Sequence, residues 1–290
     1  MTTMKTKCIA EYFADVESRE ELIDAIKYVN DSNLSLLLLG GGSNTVILKD
    51  RVEGLVVRNR YSEKELVQNS ATFVDLRVSS GYIVTRLVNE LVAAGYAGLE
   101  YHLGLPGTVG GALYMNSKWT NPQSYFSDCL TVATIADKNG KTRQVDKAYF
   151  EFAYDYSVLQ KTGEYVIDAT FRLTKTSPET LKARARQTVE YRDRTQPISR
   201  STSGCFFQNI GVEDRKRLGV DTSSAGYLVD QAGLKGTRFG SFVVSDKHAN
   251  FIIDEGEGDP ADLEKLMEFV KVKVKEKFDV DLKEEIRVIR

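Results

Sequence analysis

Cysteine is scarce in this chain: Cys8, Cys129 and Cys205 are all it has. Three scattered thiols form neither a disulfide framework nor a zinc-ligand cluster, so no metal is expected. They also point to a reducing compartment, the cytoplasm. Proline is thin as well, 5 among 290 residues, and no Pro/Gly/Ser linker or repeat divides the sequence. The net charge of −2 leaves no basic excess to attract nucleic acid or an anionic membrane. The longest apolar run is Leu36–Leu39, far below the roughly 20 residues that span a bilayer, so membrane insertion is not expected. The opening segment MTTMKTKCIAEYF lacks the apolar stretch of a signal peptide. What remains, 42% apolar and 28% charged residues, excludes disorder and is enough for at least one core. The length allows one large domain or two or three ordinary ones.

Hydrophobic periodicity alternates between helix and strand. Ser18-Arg19-Glu20-Glu21 reads as a capping box opening a helix to about Asn30, with Leu22, Ile23, Ile26 and Val29 on one face. Leu34–Leu39 is the continuous apolar run of a buried strand. Gly54–Val57 and Thr72–Ser79 read as further strands, and Gly81–Ala94 as a helix. Strands are expected over 130–136 and 165–173, with a turn at Asp137–Gly140, followed by a charged helix over 178–194. Between Gly204 and Asp254, short strands surround one short helix near 226–232. Asp259-Pro260 caps a last helix, and Leu282–Ile289 closes the chain as a strand. The fold class is α+β.

Two glycine-rich stretches carry the chemistry. Gly40-Gly41-Gly42-Ser43-Asn44-Thr45 follows the apolar strand directly. Its glycines let the backbone turn sharply and present N–H groups to an anion, while Ser43, Asn44 and Thr45 add side-chain donors. No Gly-Lys-Ser/Thr follows, so it is not a P-loop, and no helix opens there as a G-x-G-x-x-G dinucleotide loop requires. A tight strand-to-strand turn is the plain alternative. The second stretch holds Gly104, Gly107, Gly110 and Gly111 around Pro106 and Thr108, ending at Ala112. So little side-chain bulk lets a large flat ligand lie against the backbone, and Asn116 stands ready to bond a polar edge; a tight packing contact is the alternative. Two such loops suggest one extended ligand.

At these residues the chain resembles the UDP-N-acetylenolpyruvoylglucosamine reductase family. Blocks in the family's order run through almost the whole chain: LLLLGGGSNTVI, GLEYHLGLPGTVGGALYMN (98–116), SGCFFQN (203–209), AGYLVDQAGLKG (225–236) with VSDKHANFII (244–253), and LKEEIRVI (282–289). The resemblance implies a two-subdomain FAD-binding domain of the PCMH/VAO type over 1–197 and a C-terminal α+β substrate-binding domain over 198–290. It implies non-covalent FAD, its pyrophosphate against Gly40–Thr45 and Gly104–Ala112, and NADPH as reductant. Hydride then passes from flavin N5 to C3 of UDP-N-acetylglucosamine enolpyruvate, and a side-chain acid protonates C2, giving UDP-N-acetylmuramate for peptidoglycan synthesis. The short interval from YDYS to SGCFF resembles the subtype without the extra tyrosine-bearing loop. Oligomeric state is not legible.

Carried over residue by residue, the resemblance implies Cys205, where the family usually has Ser, as the proton donor. Most of a thiol with an ordinary pKa near 8.5 is protonated at neutral pH and can donate. Glu285 is the implied carboxylate that steadies the enol intermediate, with Glu284 as the alternative if the register differs. Asn209 and Arg194 are the implied substrate contacts. Two further positions depart from the pattern. Thr195 stands where the family often has Lys, and Asp155, in Tyr154-Asp155-Tyr156-Ser157, stands where it has Arg. A carboxylate there repels an anion that an Arg would stabilise. Either a neighbouring cation (Arg194, Arg200 or Arg192) takes over, or the chain acts on another enol ether or nucleotide-linked substrate. A flavin binder without catalysis is the third reading. His248 is expected to be structural, and neither His248 nor His102, which lies beside the second glycine stretch, falls in the first glycine stretch where it could hold a flavin covalently.

Overall fold

A computed structural model describes residues 2–290. The chain gathers into two compact units, each drawn from separate stretches of sequence.

The larger unit comprises Ala10–Gly41 and Glu53–Tyr191. Its main antiparallel sheet runs in the order Thr142–Asp146, Leu130–Ala136, Tyr165–Lys175, Phe73–Ser79, Lys64–Asn69. Tyr165–Lys175 lies in the middle and has six consecutive buried residues, Val166–Phe171, as a strand covered on both faces must. Helix Val84–Ala94 packs Leu87, Val88 and Leu91 into the same core as Val74, Phe126 and Phe171. A smaller sheet places Arg51–Asn59 between Ile9–Val16 and Leu36–Leu39, the last pairing in parallel from Leu36↔Leu55 to Leu39↔Arg58. Helix Arg19–Asp31 covers it with Leu22, Ile26 and Val29. Ser18 caps that helix, its hydroxyl accepting from the Glu21 N–H at 3.1 Å. The Glu21 carboxylate returns to the Glu17 N–H at 2.6 Å, one residue earlier than the usual reciprocal bond.

The second unit comprises the chain's start up to Ile9, Gly42–Val52 and Arg192–Arg290. Helix Pro260–Phe278 starts as its sequence predicts, with Asp259 accepting from the Ala261 N–H at 2.8 Å. Leu263, Leu266, Met267, Val270 and Val274 pack with Phe206, Phe207, Leu228 and Phe242 in one core, which Val46 and the fully buried Met4 complete. Thr45–Ile47 pairs in parallel with Arg287–Ile289.

Several elements differ from their sequence reading. The closing strand is regular only over Arg287–Ile289, because Lys283–Glu285 bonds instead to the Phe206–Gln208 backbone. Helix Val212–Leu218 has no buried residue and a cap, Gly211, without a side chain, so no apolar stripe or capping signal marks it. Strand Lys64–Asn69 is exposed along its whole length, which erases the alternation that announces a strand. Among the described residues, no helix is long and apolar enough to cross a membrane, and no cluster of His, Cys, Asp and Glu fits a metal.

Candidate active site

The two glycine stretches touch inside the larger unit. A Cβ on Gly40 would lie 2.2 Å from Thr108 Oγ1, and one on Gly41 would lie 2.8 Å from the Gly107 Cα. Only glycine allows that approach of one backbone to another. The second stretch is tied down on its other side. Gly110 N–H donates to the Ser80 carbonyl at 2.8 Å, Val109 N–H to Tyr82 at 3.0 Å, and Val84 N–H to Gly107 at 3.1 Å. Gly111 differs, since it is exposed and a Cβ there would meet nothing closer than Thr108 Oγ1 at 3.9 Å. Its bareness answers no need of the protein's own packing and fits a bulky group lying on the loop. Gly104 and Pro106 are also exposed, while Thr108 and Ala112 are buried supports. Asn116 does not face a ligand as expected. It is buried in the left-handed region (φ 47°), donates to the Ala153 carbonyl at 2.9 Å and accepts from Ser127 Oγ at 2.7 Å.

In the second unit, the continuation of the first glycine stretch meets the SGCFFQN segment and the C-terminal segment. Ser203 Oγ donates to the Thr45 carbonyl at 3.4 Å, and Thr3 N–H donates to Gly42 at 3.1 Å. Asn44 Nδ2 donates to the Glu285 carbonyl at 3.4 Å, and Arg287 N–H to the Asn44 carbonyl at 2.8 Å. Between these lies the ribbon holding Cys205. Cys205 pairs with Phe251, Phe206 N–H donates to Asn250 at 2.8 Å, and Glu285 N–H donates to the Phe206 carbonyl at 2.8 Å. Asn250 clamps Phe207 from its side chain as well, accepting from its N–H at 2.9 Å and donating to its carbonyl at 2.8 Å. The ribbon therefore brings Cys205, Glu285 and Asn44 to neighbouring backbone positions, though they stand 80 residues and more apart in sequence. Asn209, at the ribbon's end, accepts from the Ala225 N–H at 3.3 Å, where helix Ala225–Gln231 begins.

Neighbouring charges sort the remaining candidates. Glu284 is held by Lys271 at 2.8 Å and Arg290 at 2.7 Å. Burial alone would raise its pKa, but those hydrogen bonds outweigh burial and hold it below the ordinary carboxylate range. The Glu284 side chain is thus engaged by helix Pro260–Phe278 and by Arg290, while its backbone bridges Phe207 and that of Glu285 bonds Phe206. Arg194 is exposed and Arg200 pairs with Glu255 at 3.3 Å. Arg192 turns inward: burial lowers its pKa, and the charge of Cys205 acts on it in the opposite sense. His248 accepts from the Asn250 N–H at 3.3 Å and packs edge-on against Phe251; fully buried His102 packs against Phe126.

Asp155 is 7% exposed, in the left-handed region (φ 50°), at the tip of a turn closed by Ala153 and Tyr156. Lys118 stands 3.6 Å from its Oδ1, and the ammonium lies 3.2 Å from the Tyr154 ring centroid. Burial raises the Asp155 pKa, and Lys118 partly opposes that. Sequence reasoning passes over Lys118, which belongs to no motif and lies 37 residues from its partner. The turn's return to Asn116 was the available signal, and it is a tertiary one.

Residues 10–146 match the model of an FAD binding domain, and 196–289 match that of the UDP-N-acetylenolpyruvoylglucosamine reductase C-terminal domain. The chain is 34% identical over 280 residues to the UDP-N-acetylenolpyruvoylglucosamine reductase of Chlamydia trachomatis, covering 97% of this chain and 90% of that protein. It is 30% identical over 288 residues to the enzyme of the same name from Clostridium novyi, covering 99% and 89%. The crystal structure of the Thermus caldophilus UDP-N-acetylenolpyruvylglucosamine reductase superposes with a TM-score of 0.81 at 29% identity, over 100% of this chain and 96% of that one.

Proposed function

Because this chain belongs to the UDP-N-acetylenolpyruvoylglucosamine reductase family, we propose that it reduces UDP-N-acetylglucosamine enolpyruvate to UDP-N-acetylmuramate, with NADPH as electron source. The observation that carries the reading is the hydrogen-bonded ribbon that sets Cys205 beside the Glu285 segment and Asn44. In this reading, residues 1–197 hold the flavin and 198–290 the UDP-sugar. FAD sits against Gly40, Gly41, Gly42, Ser43, Asn44 and Thr45 and against the stretch from Gly104 to Ala112. Bound FAD supplies the hydride that adds to C3 of the enol ether. Cys205 donates the proton that C2 then needs; a neighbouring guanidinium such as Arg192 makes a thiol a stronger acid. Glu285 stabilises the enol form of the intermediate. Asn209 and Arg194 hold the substrate. The product suits peptidoglycan precursor synthesis in the cytoplasm.

A second reading, a flavoprotein acting on another enol ether, is favoured by one observation, the carboxylate at Asp155. Steady-state NADPH oxidation with mass analysis of the product separates the two. UDP-N-acetylmuramate as product supports the first reading. Oxidation of NADPH only with other acceptors supports the second. Within the first, Cys205→Ser retains turnover, while Cys205→Ala loses about 10²–10⁴ of it, the range a general acid supplies. Full turnover by Cys205→Ala would remove Cys205 from the reaction.

A further inference from the structure

We propose that Asn250 is the positioning residue that sets the register of the Cys205 ribbon and so aims the Cys205 thiol. The inference rests on the reductase reading above. In that reading hydride bonds to C3 of the enolpyruvyl group, the electron pair of the C2=C3 bond moves onto C2, and C2 takes the proton from Cys205 Sγ. The thiolate left behind regains a proton from solvent. Proton transfer tolerates little misplacement. Donor and acceptor have to come within hydrogen-bond reach, and an error of about 1 Å costs up to about 10²-fold in rate. All the residues concerned belong to the second unit.

Packing alone specifies the ribbon's register weakly. Phe206 and Phe207 are adjacent and both buried, at 0% and 1% exposure. Successive side chains of an extended segment point to opposite faces, so the ribbon is apolar on both. A slip of one residue would still set one phenylalanine into the other's place, yet it would turn Cys205 to the opposite face. Backbone pairing on the C-terminal side does not remove the ambiguity. There Gln208 N–H donates to the Lys283 carbonyl and Glu285 N–H to the Phe206 carbonyl, each at 2.8 Å, and peptide groups are alike at every residue. On the other side the ladder ends at Phe206, whose N–H donates to the Asn250 carbonyl at 2.8 Å. At Phe207 the Asn250 carboxamide takes over, accepting from the N–H at 2.9 Å and donating to the carbonyl at 2.8 Å. One carboxamide supplies both a donor and an acceptor, and this one closes on a single residue, two positions after Cys205.

Asn250 is itself firmly seated. It is 3% exposed, in a loop closed by Ser245 N–H to the Phe251 carbonyl at 2.8 Å and by Phe251 N–H to the His248 carbonyl at 2.9 Å. His248 Nδ1 accepts from the Asn250 N–H. Gly226 leaves room for the pair: a Cβ there would lie 3.1 Å from His248 Cε1 and 3.2 Å from Asn250 Cβ. The same helix start holds the ribbon's far end through Ala225 N–H and Asn209 Oδ1. Cys205, bridged to Phe251, therefore faces where Asn250 fixes Phe207.

Two variants of the FAD-loaded enzyme test this, with thermal midpoint and flavin spectrum reporting that each is folded. In Asn250→Asp the ionised carboxylate accepts from the Phe207 N–H but cannot donate to the carbonyl, whereas the protonated carboxyl does both. Burial favours the protonated form. Reoxidation of the flavin by UDP-N-acetylglucosamine enolpyruvate should be slowed roughly tenfold or more at alkaline pH, and the ratio of variant to parent rate should climb as pH falls. Both proteins carry His248, Cys205 and Glu285, so the ratio removes the titration of those groups. The solvent deuterium isotope effect on reoxidation should exceed the parent's, because proton delivery now limits the rate. Reduction by NADPH, which takes no proton from Cys205, should be unchanged. Without substrate, the iodoacetamide labelling rate of Cys205 should part from the parent's at alkaline pH and rejoin it as pH falls. Gly226→Ala presses a methyl against Asn250 from a helix that accepts alanine; it should slow reoxidation several-fold and leave reduction unchanged. Equal slowing of both half-reactions, or a rate ratio and an isotope effect that stay the parent's, would make Asn250 structural only and overturn the proposal. If Asn250→Asp does not fold, Gly226→Ala decides, and unchanged reoxidation there would overturn it. Parent enzyme that NADPH reduces but this substrate does not reoxidise is a different failure, that of the reductase reading; the labelling comparison then still decides whether Asn250 aims Cys205.

Discussion

Two side chains, Cys205 and Asp155, carry most of what distinguishes this chain at the scale of the residue. The three cysteines are not equivalent. Burial pushes the Cys129 thiol up to about 12 and also raises Cys8, which disfavours both thiolates; in the proposed reading Cys205, close enough to Arg192 for their charges to interact, is the reacting thiol. Iodoacetamide at neutral pH should therefore modify Cys205 first, and Arg192→Met should slow that modification several-fold, as peptide mass analysis over time can show. Equal labelling of Cys129 would contradict the assignment. Asp155 gives a pH signature. Burial raises its pKa and Lys118 only partly offsets this. A carboxyl whose pKa is higher in the folded than the unfolded state favours folding most when neutral. That contribution is complete below the ordinary aspartate range and is lost as pH rises through the raised value. Asp155→Asn keeps a residue type that tolerates the left-handed region. Its thermal midpoint should match the parent's at low pH and exceed it increasingly as pH rises; a gap that narrows with pH would contradict this. Neither Arg192 nor Lys118 is singled out by a motif, because each acquires its role from a neighbour that is remote in sequence or seen only in the fold.

Among elements, the glycine stretches make a sharper prediction than any helix. Gly41→Ala would drive a Cβ into the Gly107 backbone at 2.8 Å. It should lower both thermal stability and FAD content. Gly111→Ala is the informative contrast: the protein leaves room for the methyl, and alanine favours helix over glycine by about 1 kcal/mol. Stability without flavin should be unchanged or higher, while FAD affinity falls. If affinity is unchanged, Gly111 does not face the cofactor. Elements with a strong local signal were legible from sequence: the Ser18 and Asp259 caps, the apolar Leu36–Leu39 strand, although only Leu37 and Leu39 of it are buried, and the long central strand from Tyr165. Those without one were not. The Val212–Leu218 helix buries nothing, Lys64–Asn69 is wholly exposed, and Leu282–Ile286 spends its extended backbone on the Cys205 ribbon instead of a regular strand.

For the whole molecule, the family was legible because its motifs are long and lie on backbone-critical loops, where glycine spacing is a physical requirement. The α+β class was readable for a similar reason, from periodicity that switches between helix and strand. Less readable was the way the chain's start and residues 42–52 join the C-terminal unit, since Met4, Val46 and the Thr45–Ile47 strand find their partners in core residues and a strand that are remote in sequence. The proposed site was half legible: the glycines, Cys205 and Glu285 stand in motifs, whereas Lys118, which opposes the effect of burial on Asp155, stands in none. The most direct measurement of the central claim is an anaerobic stopped-flow oxidative half-reaction, in which FAD-loaded protein reduced by NADPH is mixed with UDP-N-acetylglucosamine enolpyruvate. The account predicts rapid return of the oxidised flavin spectrum with UDP-N-acetylmuramate as product. A spectrum that stays reduced, after prompt reduction by NADPH, would contradict it.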